Sequence, residues 1–195
     1  MNVEDRDEGR REQVLAVTRS QIVTRGSLSV SLNDIADELG VSRSLIYVYF
    51  DSVAQIIDVL FAEEAAVFEA EIDRLLNSEA DFRERMIELF QAYLDRLTSE
   101  GHLGYLVLRE RNQDNPLGEE NSRHFRRLLR KLSREVVLAL TLSPREAFVL
   151  LELLAAIPES LARMVRTGKL EHETAQETSA VLIGAALDAF EVKKR

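Results

Sequence analysis

The segment GVSRSLIYVYF, from Gly40 to Phe50, combines one arginine with several serine and tyrosine hydroxyls. These groups donate hydrogen bonds to phosphate oxygens or base edges, and a tyrosine ring packs against a sugar or a thymine methyl. On a helix, Ile46 and Phe50 lie four apart and can point into a core, whereas Arg43 and Tyr47 lie on another face. The segment therefore favours a surface that contacts nucleic acid. The alternative is that both tyrosines are half-buried core aromatics, and spacing alone does not decide between the two.

Capping residues predict where the helices around this segment begin and end. Ser31 can cap the helix LNDIADEL with its hydroxyl, and Gly40 ends that helix. Ser42 is a second cap, which opens the helix RSLIYVYF. An earlier helix is predicted from about Arg10 to Thr24. Two short helices that meet through a tight glycine-containing turn form the helix-turn-helix pattern.

Residues 10 to 60, with SLNDIADELGVSRSLIYVYFDS at their centre, resemble the DNA-binding domain of the TetR family of bacterial transcriptional regulators. That family has a glycine ending the first helix, then T-S-x-x-x-I-A-x-x-x-G-V-S, K/R-G/P-T-L/I-Y-x-Y/H-F and S-K. The resemblance implies that Ser31 anchors the second helix near the DNA backbone and that Ser42 caps the third. It implies base-edge, groove or phosphate contacts from Arg43, Ser44, Leu45, Tyr47, Val48 and Tyr49.

The sequence departs from this pattern by replacing polar or larger groups with smaller or apolar ones. Val53 stands where the family most often has a phosphate-binding lysine, and losing one phosphate contact lowers the salt dependence of binding by about one unit. Leu45 stands where threonine is usual and Val48 where histidine is common. These two apolar side chains could contact thymine methyls in the major groove. The other departures are Ser27 for an aromatic residue and Val30 for a threonine. A TetR-like binding or scaffold protein that has lost specific DNA binding is therefore the alternative.

Charge is distributed unevenly along the chain. The formal net charge is −9, which opposes binding to a polyanion, yet five arginines face four acidic residues between positions 10 and 50. Residues 1–9 are predicted to form a flexible N-terminal arm. Arg6, Arg10 and Arg11 could hold the DNA backbone from there, and the alternative is a frayed, solvated tail. The chain has no cysteine and no apolar run long enough to cross a membrane, which favours a cytoplasmic protein without a membrane partner.

Apolar residues recur at helical spacing nearly throughout, so we expect an all-α fold of about nine helices. The predicted domains are a three-helix head at residues 10–55 and a helical body at 56–195. A long helix at about 52–77 would connect them, and further helices are expected at about 80–99, 102–111, 119–140 and 171–192. One more helix, between the last two, is predicted to begin at Ser143 and Pro144, with Glu146 completing a capping box. The helix at 119–140 has an arginine-rich face. A basic, solvated face paired with Glu119, Glu120 and Glu135 is the simpler interpretation, and nucleic-acid binding is the alternative.

The resemblance implies a homodimer in which the last two long helices of each subunit form a four-helix interface. Gly184, in the middle of the last helix, suggests that another backbone packs closely there. Both helices could equally pack within one subunit. The residues predicted for the interface are Phe148, Leu151, Leu154, Ala155, Ala180, Val181, Gly184, Ala185, Leu187 and Asp188.

Members of the resembling family bind small molecules between the helices of the body. For this chain the ligand is unknown, and each candidate residue could equally be ordinary core. The candidate wall and polar residues are Phe61, Phe68, Phe90, Tyr93, Leu97, His102, Tyr105, Leu108, Arg109, His124 and Phe125.

No motif for catalysis or metal binding is present. The three histidines are isolated, and the sequence has neither H-E-x-x-H nor G-x-S-x-G nor a phosphate-binding glycine loop. We therefore expect no enzyme, no cofactor and no metal ion. The sequence predicts a homodimeric, ligand-responsive regulator, a repressor, that binds a palindromic double-stranded DNA operator through the helix that begins at Arg43.

Overall fold

The computed structural model describes residues 3–99, 103, 106 and 117–191. Within these ranges the chain forms helices and turns without strands, so the predicted all-α class is confirmed. Of the predicted helix at 102–111, only Leu103 and Leu106 are described, and both are helical and buried. The helices are α1 Val3–Arg25, α2 Leu32–Leu39, α3 Arg43–Ile46, α4 Val53–Leu76, α5 Phe82–Ser99, α6 Glu119–Leu140, α7 Pro144–Arg166 and α8 His172–Glu191.

The chain divides into two compact units. The first comprises Met1–Ala66 with Gly101–Arg123, and the second comprises Val67–Glu100 with His124–Arg195. The first unit thus extends beyond the predicted head, to Ala66. Helices α4 and α6 each contribute residues to both units.

The first unit contains the three helices of the head, α1 to α3, around a small apolar core. Ile22, Ile35 and Ile46 come from α1, α2 and α3 respectively and are almost fully buried. Thr18 is also buried on α1, where its hydroxyl donates to the carbonyl of Val14 at 2.8 Å and so carries no unpaired polar group into the core. These residues fix the position of α3 on α1 and α2.

Helix α1 begins at Val3, seven residues before the predicted start at Arg10. Residues 3–9, predicted to be a flexible arm, are therefore helical. The sequence of this extension is rich in acidic residues, and negative charge near a helix N-terminus favours a helix through the helix dipole. The side chain of Arg6 lies outside the described residues.

The second unit encloses the larger core, to which five helices contribute. Their apolar faces repeat at three- and four-residue spacing, as expected for helices that each bury one stripe. The buried members are Ile72, Leu75, Met86, Leu89, Phe90, Leu128, Leu132, Val136, Leu140, Ala147, Leu150, Leu151, Leu154, Ile183 and Leu187.

Gly184 of α8 packs against a side chain rather than a backbone. The guanidinium of Arg83 lies over it and is held there by Asp188, whose Oδ1 accepts from Nε at 2.7 Å. A methyl group at position 184 would displace that guanidinium. The mid-helix glycine therefore makes room for an ion pair on the chain's own surface.

The predicted capping box at the start of α7 is confirmed. Ser143 Oγ accepts from the amide of Glu146 at 3.3 Å, and the Glu146 carboxylate accepts from the amide of Ser143 at 2.9 Å. Pro144 occupies the first helical position, where no intrahelical amide bond is needed.

Removing the cap is expected to destabilise the second unit. Ser143→Ala leaves an amide of the first turn of α7 without its partner, which should cost about 1 kcal/mol in the free energy of unfolding. Denaturant unfolding followed by circular dichroism measures this change. Ser20→Ala, at an exposed position inside α1, is the matched control and should leave stability unchanged. If Ser143→Ala and Ser20→Ala had equal free energies of unfolding, the capping box would not stabilise α7.

Among the described residues, no helix combines the length and apolar character needed to cross a membrane.

Candidate nucleic-acid interface

Helix α2 is bounded by two residues that the sequence identified. Ser31 Oγ accepts from the amide of Asp34 at 3.1 Å, and Gly40 ends the helix with a φ of 65°, which favours glycine. The turn continues as the amide of Val41 donates to the carbonyl of Ala36 at 3.0 Å. This compact turn places α3 directly after α2, as in a helix-turn-helix.

Helix α3 is shorter than predicted. It ends at Ile46 instead of Phe50, and tight turns follow, in which the amide of Val48 donates to Leu45 and that of Tyr49 to Ile46. Residues 46–50 are all β-branched or aromatic, which lowers helix propensity and favours such turns. Ser42 occupies the N-cap position of α3 without a side-chain capping hydrogen bond.

Burial separates two faces of this segment. Ile46 and Phe50 are 1% and 3% exposed and belong to the core, as predicted. Tyr47 and Val48 are 45% and 70% exposed, so Tyr47 is not a core aromatic. Tyr49 is half-buried. Ser42, Arg43 and Ser44 are exposed, and Leu45 is half-buried, so each predicted contact residue of this segment except Leu45 and Tyr49 lies at the surface.

Leu45 and Tyr49 line a small hollow on the head. Its other walls come from α1 and from the α2–α3 turn, and they include Arg10 and Val14. The two half-buried side chains thus connect the exposed segment to α1.

Arg43 and Tyr47 form one exposed unit. The guanidinium of Arg43 donates to the hydroxyl of Tyr47 at 2.6 Å and lies 5.3 Å from the centre of its ring. The hydroxyl accepts this hydrogen bond, so its own proton stays available to donate to a phosphate oxygen. The guanidinium also keeps donors for a base edge or a phosphate, because it carries five N–H groups.

Two arginines of the head are held by ion pairs within the first unit. Arg19 donates to Glu64 at 2.6 Å and to Glu63 at 3.1 Å, and Arg25 donates to Asp34 at 3.0 Å. These arginines have a structural role, because their charges are neutralised by neighbouring carboxylates.

Arg10 and Arg11 of α1 lie nearer the segment. Arg10 donates to Gln13 at 2.9 Å, and the guanidinium of Arg11 lies 5.2 Å from the centre of the Phe50 ring. Neither of these contacts removes a positive charge. Arg10, Arg11 and Arg43 therefore give the exposed segment its local positive charge.

The Arg25–Asp34 pair makes a testable contribution to pH dependence. Hydrogen bonds from Arg25 and then Ser31 lower the pKa of Asp34 below its usual value of 3.8. A carboxylate with a lowered pKa stabilises the folded state above the unfolded pKa, and this contribution is lost as pH falls through the folded pKa. NMR titration of the Asp34 carboxyl should therefore show a midpoint below 3.8 that rises in Arg25→Gln. Equal midpoints in the two proteins would contradict the pairing.

The start of α4 has no basic side chain. Val53, its first residue, is half-buried. The preceding Ser52 accepts from the amide of Gln55 at 3.2 Å, and Gln55 accepts from the amide of Asp51 at 2.6 Å. Side-chain hydrogen bonds therefore cap the start of α4, where the resembling family most often has a phosphate-binding lysine.

Comparison with known proteins assigns this head. Residues 14–60 match the N-terminal domain model described as bacterial regulatory proteins of the tetR family. Residues 14–60 therefore form a TetR-type N-terminal domain. The matched range spans α1 from Val14, the helix-turn-helix, and the start of α4, which are the elements that position Arg43 and Tyr47.

Curated relatives and solved structures extend the similarity beyond the head. The nucleoid occlusion factor SlmA of Vibrio campbellii is 29% identical over 170 residues, which cover 81% of this chain and 85% of that protein. AmtR of Mycobacterium smegmatis is 21% identical with a TM-score of 0.63, covering 94% of this chain and 93% of that one. A TetR-family regulator from Marinobacter aquaeolei is 19% identical with a TM-score of 0.69, covering 94% and 98%. At these identities the solved structures establish a shared TetR-like fold.

Removing the hydroxyl of Tyr47 tests its predicted role in this TetR-like head. Tyr47→Phe keeps the ring under Arg43 but removes the hydroxyl that is predicted to donate to a phosphate, so DNA affinity should fall about tenfold. The oligomeric state should not change. A gel-shift titration with size-exclusion chromatography measures both, with Tyr93→Phe of the second unit as the control. Unchanged affinity of Tyr47→Phe would contradict the predicted contact of the hydroxyl.

The predicted ligand residues fall into three groups in the structure. His102, Tyr105, Leu108 and Arg109 lie outside the described residues. Phe61, Phe90 and Leu97 are fully buried, Phe61 in the first unit and the other two in the second. The half-buried residues, all in the second unit, are Phe68, Tyr93, His124 and Phe125.

Two of the half-buried residues lie beside a carboxylate that sequence analysis missed. The rings of Phe68 and Tyr93 are 5.8 Å apart, and the Tyr93 hydroxyl donates to Glu159 of α7 at 3.2 Å. Burial raises the pKa of the Glu159 carboxyl above its usual value. The sequence did contain a signal for this carboxylate. Glu159 directly follows Pro158 and lies on the same helix face as Ala155 and Ala162, so a charged group on a largely apolar face could have been noticed. In contrast, Nε2 of His124 lies 3.0 Å from a carboxylate oxygen of Glu69.

Only part of the predicted dimer face is accessible. Leu151, Leu154, Gly184 and Leu187 are buried within the second unit. Ala155 and Ala180 are half-buried, and Asp188 pairs with Arg83. The exposed members are Phe148, Val181, Ala185 and Asp188.

Among the residues that the structure describes, no cluster of three or more histidine or acidic side chains could hold a metal ion.

Proposed function

We propose that the protein is a transcriptional regulator, a repressor, that binds a palindromic operator as a homodimer and releases it in response to a small molecule. The observation that carries the proposal is the exposed Arg43–Tyr47 pair at the end of a helix-turn-helix. Both groups present hydrogen-bond donors, while Ile46 and Phe50 anchor the segment from behind. Such a protein acts in the cytoplasm, where bacterial DNA lies.

The exposed apolar surface of α7 and α8 supports pairing of two copies. Val149 and Leu153 lie four apart on α7 and are 49% and 63% exposed, and Val181 on α8 is 69% exposed. Leu182 and Ala185 continue that surface. A second copy would cover these side chains from water, and two helix-turn-helix heads about 34–36 Å apart would contact both half-sites of an operator.

A hydrogen-bonding group in the second unit supports a small-molecule effector. Glu159 and Tyr93 offer a carboxylate and a phenol beside the ring of Phe68. An effector that carries an amine or another donor would match the carboxylate. To reduce operator affinity tenfold, the effector must bind the released state about 1.4 kcal/mol more tightly than the DNA-bound state.

Selection of bound genomic fragments tests DNA binding and finds the operator in the same experiment. The purified protein is mixed with sheared DNA of the host, and retained fragments are sequenced. We expect a short inverted repeat among them and binding that weakens steeply as salt rises, because phosphate contacts release counterions. Absence of retained fragments at low salt would favour the alternative of a TetR-like scaffold without DNA binding.

Repression and effector response require a separate measurement. A reporter placed behind the recovered operator should be silenced by the protein and released by the active small molecule. Activation of the reporter would contradict the assignment as a repressor while leaving DNA binding intact.

A second candidate function is nucleoid occlusion, which the similarity to SlmA favours. That similarity covers 81% of this chain, so it includes the second unit as well as the head. Genome-wide binding separates the two functions. Sites that lie in promoters and whose loss changes nearby transcripts support the regulator. Sites scattered without regard to promoters, with unchanged transcripts, support nucleoid occlusion.

A further inference from the structure

One face of α6 carries exposed arginines that have no carboxylate partner among the described residues. The neighbouring charges of α6 are paired elsewhere, since Lys131 contacts Asp73 and Glu135 lies 3.9 Å from Arg85. The interpretation that Glu135 neutralises this face is therefore wrong. We call the following residues the arginine stripe: Arg126, Arg127, Arg130 and Arg134.

The other two acidic residues proposed to neutralise α6 do not reach the arginine stripe. Glu119 lies 3.9 Å from Arg123, one turn further along its own helix, so the predicted pairing of Glu119 with a basic residue of α6 is confirmed at Arg123. Glu119 and Glu120 are exposed in the first turn of α6, where a carboxylate interacts favourably with the helix dipole. Their positions are explained by the helix end, and the arginine stripe needs another explanation.

The arginine stripe is a compact surface. Three- and four-residue spacing places its members on one side of α6, over a length of about 12 Å from Arg126 to Arg134. The opposite side holds the buried Leu128, Leu132 and Val136, which fix the orientation of the helix. Like charges at this spacing destabilise a helix. A cluster that the fold does not neutralise is therefore expected to serve an external partner.

An exposed apolar side chain extends the same surface. Leu138 follows Arg134 by four residues, which places it one turn further along the same face of α6. Its side chain is 67% exposed. The surface thus combines several guanidinium groups with one apolar contact at its end.

We propose that the arginine stripe and Leu138 bind an acidic segment of another protein, one rich in glutamate or aspartate with an apolar side chain that covers Leu138. Guanidinium groups bind carboxylates through paired hydrogen bonds, so the charge and the geometry match. Such a segment is short and contacts only the local positive surface. The overall charge of −9 does not oppose it as strongly as it opposes a long polyanion.

Two other partners fit the surface less well. A DNA backbone offers phosphates to the arginines but has no apolar group for Leu138. A membrane surface would accept both charges and leucine, but a single exposed leucine at the end of the arginine stripe provides little insertion. The experiment therefore includes both as competing probes.

A fluorescent synthetic peptide of alternating glutamate and alanine with one central leucine tests the proposal by anisotropy on the full-length protein. The same peptide with glutamine in place of glutamate is its control. We expect binding of the acidic peptide that weakens about fivefold in Arg127→Gln/Arg130→Gln, from the loss of two exposed charge pairs. Arg145→Gln/Lys169→Gln removes the same charge from exposed positions outside α6 and should retain affinity.

Leu138→Ser provides a second variant that leaves the charge unchanged and should also weaken binding of the acidic peptide. Circular dichroism confirms that every variant is folded. Equal binding by the glutamine peptide, or equal loss in both double variants, would overturn the proposal. The competing probes are a DNA duplex without an operator and vesicles with anionic lipid. If either binds through the arginine stripe more tightly than the peptide does, the choice of partner is overturned. Operator binding by the head is measured separately and should be unaffected.

Discussion

Replacing Arg43 with alanine is expected to weaken operator binding by about tenfold to a hundredfold, the range for losing a bidentate base contact. Arg43 donates to the Tyr47 hydroxyl at 2.6 Å, so its removal also frees the tyrosine side chain. Both effects act on the DNA complex. The stability of the free protein should hardly change, because the Arg43 side chain is exposed.

Anisotropy titration with the recovered operator measures this effect. Arg145→Ala, which removes an exposed arginine from the first turn of α7, is the matched control and should bind like the unchanged protein. A base contact also predicts that Arg43→Ala discriminates less between the operator and a mutated half-site. If Arg43→Ala loses affinity equally for all DNA, Arg43 contacts phosphate instead. Full affinity would contradict its place in the interface.

The second large effect concerns the support of the interface. Ile46→Ala empties a site in the head core that is 1% exposed, which should cost about 2–5 kcal/mol in the free energy of unfolding. Val48→Ala, two residues later and 70% exposed, is the matched control and should change stability by less than about 0.5 kcal/mol. The two substitutions remove similar apolar groups from one short segment and differ in burial.

Hydrogen exchange resolves this comparison within the head. Amides of α1 and α2 should exchange faster in Ile46→Ala because loss of the core contact favours local opening, whereas those of α7 should not change. Val48→Ala should leave all of them protected. It should still reduce operator affinity, since Val48 is a predicted groove contact. Fast exchange in both variants would mean that Val48 also supports the fold.

The sequence predicted helix boundaries best where a cap defines them. Ser31 and Gly40 bound α2, and Ser143 opens α7, because their hydrogen bonds and backbone angles are local properties. The predicted end of α3 at Phe50 was wrong, because the helix ends at Ile46. The four-residue spacing of Ile46 and Phe50 favours a continuing helix, but the β-branched and aromatic residues between them have low helix propensity.

Contacts between side chains were harder to predict than burial. The four-residue separation of Arg43 and Tyr47 was visible in the sequence and is the spacing at which helical neighbours meet. The spacing alone does not show that the two side chains pair, because each could equally extend away from the other towards DNA. At Gly184 the sequence correctly indicated a close neighbour but not its identity, since an arginine from α5 is 101 residues distant in sequence.

The helices of the second unit show why apolar stripes do not identify their partners. Leu151 and Leu154 pack inside the chain, whereas Leu153 lies between them in sequence and is 63% exposed. Helical periodicity locates a stripe, but a stripe that meets the chain's own core looks like one that meets a second copy. The exposed apolar residues to which the prediction of a dimer applies are Phe148, Val149, Leu153, Val181, Leu182 and Ala185.

Interference by modified guanines in the recovered operator tests most directly whether paired heads insert Arg43 into the major groove. Replacing guanine N7 by carbon removes the acceptor that an arginine contacts there. We predict loss of binding at two symmetric positions, one helical turn or a multiple of it apart, and no further loss when Arg43→Ala is used. Binding that is insensitive to N7 at every position would contradict insertion into the major groove. A single sensitive position without a symmetric counterpart would contradict the paired heads.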